Sequence, residues 1–293
     1  MLILQPMEHF IGGILLILVC GFLCWRAWVF QARHKVWMGV CLLVVSGFLL
    51  RAYVAADLYL HPWDERYHAL VAKNRMENPF KPMLYKNPVL PYEYKNWAAN
   101  HIWVHKQPLP LWIMAGSMRL LGCHEWALRL PAVILTCLGI LLTFLIGKTL
   151  YNDRIGFIAA FLYAIHGLII ELSGGRVATD HIDVFFLFLV ELAVWLALEY
   201  ALSSRRIYTI GCAVATGLAI LTKWLPALIV LPLWILFVFH FKKVSPKRHL
   251  SIFCCSWWSS SQSPYPGRFI SVQLFPLRQL GKTLSITNIS LKH

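Results

Sequence analysis

The stretch Val36 to His68, VWMGVCLLVVSGFLLRAYVAADLYLHPWDERYH, decides the architecture. Its first part, 36–56, is a continuous apolar run of about 20 residues, the length an α-helix needs to cross a ~30 Å hydrocarbon core. Inside that core only helices or closed barrels satisfy every backbone amide, and an unbroken run reads as helix. The run ends in a compact charged cluster, Asp64-Glu65-Arg66-Tyr67-His68.

Working outward, comparable runs lie at 9–31, 126–148, 155–172, 182–201, 207–222 and 225–241, which predicts seven spans in an all-α, polytopic membrane helix bundle. Composition agrees, because 59% of the 293 residues are hydrophobic and only 14% are charged, more apolar surface than a soluble domain can hide. The net charge of +14 does not form a nucleic-acid face; the Lys and Arg fall in short clusters between the apolar runs. Arg33-His34-Lys35, Lys148 with Arg154, Arg205-Arg206, and Lys242 to Arg248 occupy alternate connections, hence one side of the bilayer. The positive-inside rule makes that side cytoplasmic. The N-terminus, segment 57–125, the turn from Ser173 to Asp180, and Lys223 are then extracytoplasmic. Within 57–125 the apolar piece Leu109 to Leu121 is too short to span, so interfacial helices are expected there.

Of eight Cys, Cys20, Cys24, Cys41, Cys137 and Cys212 lie within apolar runs, where thiols behave as small hydrophobes, and no disulfide is expected. The first run begins near Phe10 without a basic segment before it, so no cleaved signal peptide is expected. After Ser251 the character changes to clustered Ser, paired Cys and paired Trp. A frameshift, a truncated reading frame and a divergent tail each account for that change.

The chemistry-bearing residues concentrate on the predicted outer side. Adjacent acids such as Asp64 and Glu65 can hold a hydroxyl, accept its proton or bind a divalent cation; a solvated loop acid is the plain alternative. In His105-Lys106-Gln107-Pro108-Leu109-Pro110-Leu111-Trp112, two prolines fix the backbone beside a Lys that can meet a phosphate or snorkel to lipid headgroups. Arg176, Asp180 and Asp183 sit at a span junction, with both Asp on one helical face and Glu191 continuing it. Lys223, between two spans, can neutralise a lipid phosphate as a compact charge or anchor the boundary. His61, His68, His101 and His105 have no zinc spacing, and Gly174-Gly175 is no phosphate loop.

The ordered motifs, Asp64 to His68, HKQPLPLW, EWALRLPAV, RVATDHIDVFF and GLAILTKWLPAL, resemble the integral membrane glycosyltransferases of the dolichyl-phosphate-mannose protein mannosyltransferase and aminoarabinose transferase superfamily, with their GT-C fold. The likeness covers about residues 35 to 241. It divides the chain into an N-terminal span and basic loop (1–35), a glycosyltransferase domain (36–250) and an atypical tail (251–293). The resemblance implies an enzyme of the inner membrane that moves a sugar, with inversion, from a polyprenyl-phosphate donor to an extracytoplasmic lipid, glycan or protein acceptor. Asp64 would then be the principal catalytic acid, supported by Glu65, with Asp180 as the second functional Asp. Lys106 would contact the donor phosphate, with His105, His68, Arg176 and Lys223 as further substrate-side residues. His105 stands where aminoarabinose transferases often carry Glu, and Gln107 replaces the first Pro of the family motif. No cofactor is assigned beyond the divalent cation that the acids leave open. A transporter or flippase, moving substrate without forming a glycosidic bond, and an inactive glycosyltransferase fragment are the alternatives.

Overall fold

The computed structural model describes residues 4–89, 91–93, 95–96, 100–177 and 182–242. Among these the chain is helical, in the order α1 (Leu4–Ala32), α2 (Val36–Ala55), α3 (Asp64–Glu77), α4 (Pro108–Leu121), α5 (Glu125–Leu150), α6 (Asp153–Ala164), α7 (Gly167–Ser173), α8 (Asp183–Ser203), α9 (Arg206–Lys223), a 3₁₀ turn (Leu225–Ile229) and α10 (Val230–Lys242). Four helices, α1, α2, α5 and α8, are long and apolar enough to cross a bilayer. The chain is a polytopic membrane protein.

The seven expected runs are therefore not all equivalent. The run at 155–172 breaks into α6 and α7, which meet at 53° and supply a fifth crossing if counted as one span. His166-Gly167 stands at the break, and Arg51, fully buried in α2, donates to Tyr163 O at 3.2 Å and Ala164 O at 3.0 Å, taking up carbonyls there. The expected span at 207–222 is α9, closed at its ends by Arg206 and Lys223. The last is interrupted by the Pro226-containing 3₁₀ turn, leaving a shorter apolar helix pair over Leu225–Phe241. Tail residues 251–293 lie outside the described residues.

Neighbouring helices pair as hairpins, α1 with α2, α5 with α6 and α8 with α9. Two of the basic turns meet at one end, where the Lys148 ammonium lies 5.6 Å from the Trp37 ring and pairs with Asp153 at 2.9 Å. One buried cluster joins α1, α2, α5 and α6 through Ala27, Leu43, Ile140, Phe144 and Phe157. A second joins α3, α4, α5, α7 and the start of α8 through Ala72, Met114, Leu128, Leu172 and Phe185. This second cluster pins the short helices α3 and α4 to the opposite end of the bundle. At 14 residues each, about 21 Å long, they are too short to span, as expected for segment 57–125.

Candidate active site

The charged motif opens α3, and its two acids part company. Consecutive helical residues project about 100° apart, so one acid can face outward while the next faces the core. Asp64 is partly exposed and lies 3.5 Å from Lys106 Nζ, which the Pro108-started α4 holds opposite it. Glu65 is 2% exposed and is gripped by Arg129, itself 0% exposed, through Nε to Oε1 at 2.6 Å and Nη2 to Oε2 at 3.0 Å. The same guanidinium donates to the carbonyls of Ala55 at 3.1 Å, Asp57 at 2.6 Å and Tyr59 at 2.6 Å. One side chain of α5 thus fixes the whole connection from α2 to α3. Trp63, directly before Asp64, has φ 72°, a conformation that a bulky residue holds only when its surroundings impose it.

A second layer surrounds this pair. His61 donates its backbone N–H to Glu65 Oε2 at 2.6 Å and brings Nδ1 to 2.8 Å from the same oxygen, while its Nε2 lies 3.1 Å from Asp57 Oδ2. Arg176 donates to Asp57 through two bonds of 2.8 and 3.1 Å. Burial pushes the Asp57 carboxyl up, but the Arg176 bonds and charge, with His61 adding to them, outweigh it and hold the pKa below its ordinary value. Burial likewise lowers Arg176, and Asp57 with Glu171 reverses the sign, so its pKa is raised. Gly175 closes the network: with φ 70°, its site would place a Cβ 2.5 Å from Glu65 Oε1, so only glycine fits.

The remaining expected residues fall around this centre. His68 is fully buried with its ring edge against Trp103 at 5.5 Å, and His105 approaches the same indole at 5.8 Å. Partial burial, then the charge of Lys106, lowers the His105 pKa. Lys223 pairs with Asp183 at 2.5 Å, and like Asp64 it is bordered by a positive-φ tryptophan, Trp224 at 60°. Leu109, three residues after Lys106, packs against Leu189, Ala219 and Ala227, so the Lys106 loop and the Lys223 end of α9 share one end of the molecule. Asp180 lies outside the described residues, so the face it was expected to share with Asp183 is not described. Among the described residues, no group of three or more His, Cys, Asp or Glu side chains is arranged to hold a metal ion. Arg129 and Asp57 are not among the residues that the sequence singles out, and His61 is weighed there only as a zinc ligand. Arg129 carried a signal, a lone cation inside an apolar run, which demands a buried partner.

A family model for dolichyl-phosphate-mannose-protein mannosyltransferases matches residues 105–257, just over half of the sequence. The chain belongs to this family. The matched region of this mannosyltransferase-family chain holds Lys106, Arg129, Arg176 and Lys223, while Asp64 and Glu65 precede it. An undecaprenyl phosphate-α-4-amino-4-deoxy-L-arabinose arabinosyl transferase of Pseudomonas fluorescens is 32% identical over 151 residues, 47% of this chain and 25% of that protein. Across these curated relatives the match covers 19 to 29% of their length. The apo crystal structure of ArnT from Cupriavidus metallidurans aligns with 79% of this chain and 44% of its own, at TM-score 0.52 and 20% identity. The oligosaccharyltransferase AglB from Archaeoglobus fulgidus aligns with 88% of this chain and 38% of its own, at TM-score 0.51 and 15% identity. The helical fold is shared with both.

Proposed function

We propose that this chain carries the donor-side catalytic half of a glycosyltransferase that moves a sugar, with inversion, from a polyprenyl-phosphate carrier to an acceptor hydroxyl on the extracytoplasmic face of the inner membrane. The observation that carries the reading is the Asp64 carboxylate 3.5 Å from the Lys106 ammonium, both partly exposed, with Asp64 opening α3 directly after the connection that Arg129 fixes. The undecaprenyl-phosphate sugar named for the Pseudomonas relative supports the donor class.

The chemistry follows from that pair. The acceptor oxygen forms a bond to the anomeric carbon, and its proton passes to Asp64. The bond from that carbon to the phosphate oxygen breaks, and its electron pair leaves with the polyprenyl phosphate. Lys106 neutralises the charge that builds on the phosphate oxygens, a stabilisation largest in the transition state. Glu65, held by Arg129 and His61, keeps Asp64 at the head of α3, where the helix N-terminus favours the carboxylate. Arg176 steadies the floor through Asp57, and His68 and His105 frame the Trp103 wall. Lys223, and Asp180 as a second acid, complete the substrate side. In this reading the broken pair α6 and α7, with α9 and with the 3₁₀ turn and α10, adds crossings that bring the count to seven and set the site outside.

The test is transfer from a polyprenyl-phosphate-linked sugar by membranes containing the chain, with products identified by mass spectrometry. Asp64→Asn should abolish the new glycosidic bond at unchanged expression, and Lys106→Met should lower turnover. Retained turnover in Asp64→Asn refutes the assignment. Substrate movement without a new bond identifies a transporter, and activity that appears only when the C-terminus is extended identifies a fragment.

A further inference from the structure

Away from the Asp64 centre, the far half of α3 and the outer face of α4 enclose a cleft of about 350 Å³, walled by Pro79, Phe80, Trp112 and Gly116 and bearing Arg75 and Arg119. Arg75 is 4% exposed, yet no carboxylate faces it among the described residues. Its guanidinium lies 5.4 Å from the Trp112 ring and donates to Pro79 O at 2.7 Å, which also accepts from Trp112 Nε1 at 2.6 Å. Its Nε is buried without a hydrogen-bond partner. The one acid nearby on α3, Glu77, is engaged by Lys86. A buried cation left without a counter-ion is costly, and an anion in the cleft would relieve that cost. Burial lowers its pKa to about 10, which still leaves it charged at neutral pH.

What surrounds the two cations is apolar and outward-facing. Phe80 is 65% exposed, Leu120 85% and Leu121 51%. Cationic heads beside aromatic and aliphatic edges, on two helices too short to span, are the pattern of a site at the bilayer surface, where a phosphate meets the guanidinium and acyl chains meet the apolar rim.

We propose that this cleft seats the phosphate headgroup of an anionic membrane phospholipid, with Arg119 at its rim, Arg75 at its floor and the exposed edge of α4 against the acyl chains. The site is separate from the Asp64 and Lys106 centre and does not depend on the activity assigned there.

The full chain, purified in neutral detergent and titrated with phosphatidylglycerol or phosphatidylcholine, tests the assignment by native mass spectrometry of retained lipid. Phosphatidylglycerol should be retained preferentially, and inorganic phosphate should not displace it. Arg119→Gln alters an exposed residue, and Gly116→Leu fills the cleft from a position where an added Cβ meets nothing within 4 Å. Each should weaken retention roughly tenfold or more, the scale of one charge-assisted contact, at unchanged thermal stability. Arg154→Gln, in the first turn of α6, should bind as the parent does. Equal retention of the two lipids, or parental retention by Arg119→Gln, overturns the proposal. Displacement by inorganic phosphate would assign the cleft to the free ion and overturn the lipid assignment.

Discussion

Removing the Arg129 guanidinium, as in Arg129→Met, should destabilise the protein by about 3–5 kcal/mol. The magnitude follows from what is stranded. Glu65, 2% exposed, loses two bonds of 2.6 and 3.0 Å and becomes a buried carboxylate with only His61 beside it. The carbonyls of Ala55, Asp57 and Tyr59 lose their donor at the same time. In a chain of this size such a loss corresponds to a fall of roughly 10 °C in the unfolding midpoint. Thermal unfolding of purified protein in detergent, followed by size-exclusion chromatography, gives the shift. A double variant, Arg129→Met with Glu65→Leu, removes the stranded charge and should recover part of the loss, because an apolar pair can replace a buried ion pair at little cost. It should not recover all of it, because the three carbonyls remain without their donor. Arg129→Lys should fall between parent and Arg129→Met, since an ammonium cannot reach both Glu65 oxygens and three carbonyls from one position. A midpoint for Arg129→Met within about 2 °C of the parent, or a double variant no more stable than the single one, would refute the view that this ion pair fixes the α2 to α3 connection.

Three further outcomes follow from the same geometry. Gly175→Ala places a methyl 2.5 Å from Glu65 Oε1 at φ 70°, and should lower stability by about 1–3 kcal/mol in the same unfolding assay. Because the native pKa of Asp57 is depressed, its contribution is complete above the unfolded value of 3.8 and fades as pH falls through the lower native value; Asp57→Asn should flatten the acid limb of a stability-versus-pH curve. Lys223→Ala removes a largely exposed partner of Asp183 and should cost under about 1 kcal/mol, so a large fall in sugar transfer in that variant would reflect substrate contact rather than folding.

The long helices α2, α5 and α8 were legible because their apolar runs match the bilayer thickness and stop within a few residues of the observed ends. The break between α6 and α7 was only half legible: His166-Gly167 interrupts the apolar run there, but Arg51, which takes up the carbonyls of Tyr163 and Ala164, is more than 110 residues away. The site divides along the same line. Asp64 and Lys106 were readable as exposed, motif-borne charges, and the structure brings them to 3.5 Å. The sequence leaves Lys223 open as a phosphate-side cation or a boundary anchor; the structure adds its contact with Asp183, a pairing between helix ends that sequence spacing does not encode. Glu65 was read as a supporting acid, but what it supports depends on Arg129, 64 residues away, and on a glycine that no periodicity marks. Burial separates the neighbouring acids by function: a carboxylate held by a buried guanidinium is unavailable to substrate, and the partly exposed one beside a lysine is available. In the proposed reaction the Asp-Glu pair supplies one reactive acid and one structural acid, set by a rotation of about 100° along α3 rather than by any difference in their chemistry.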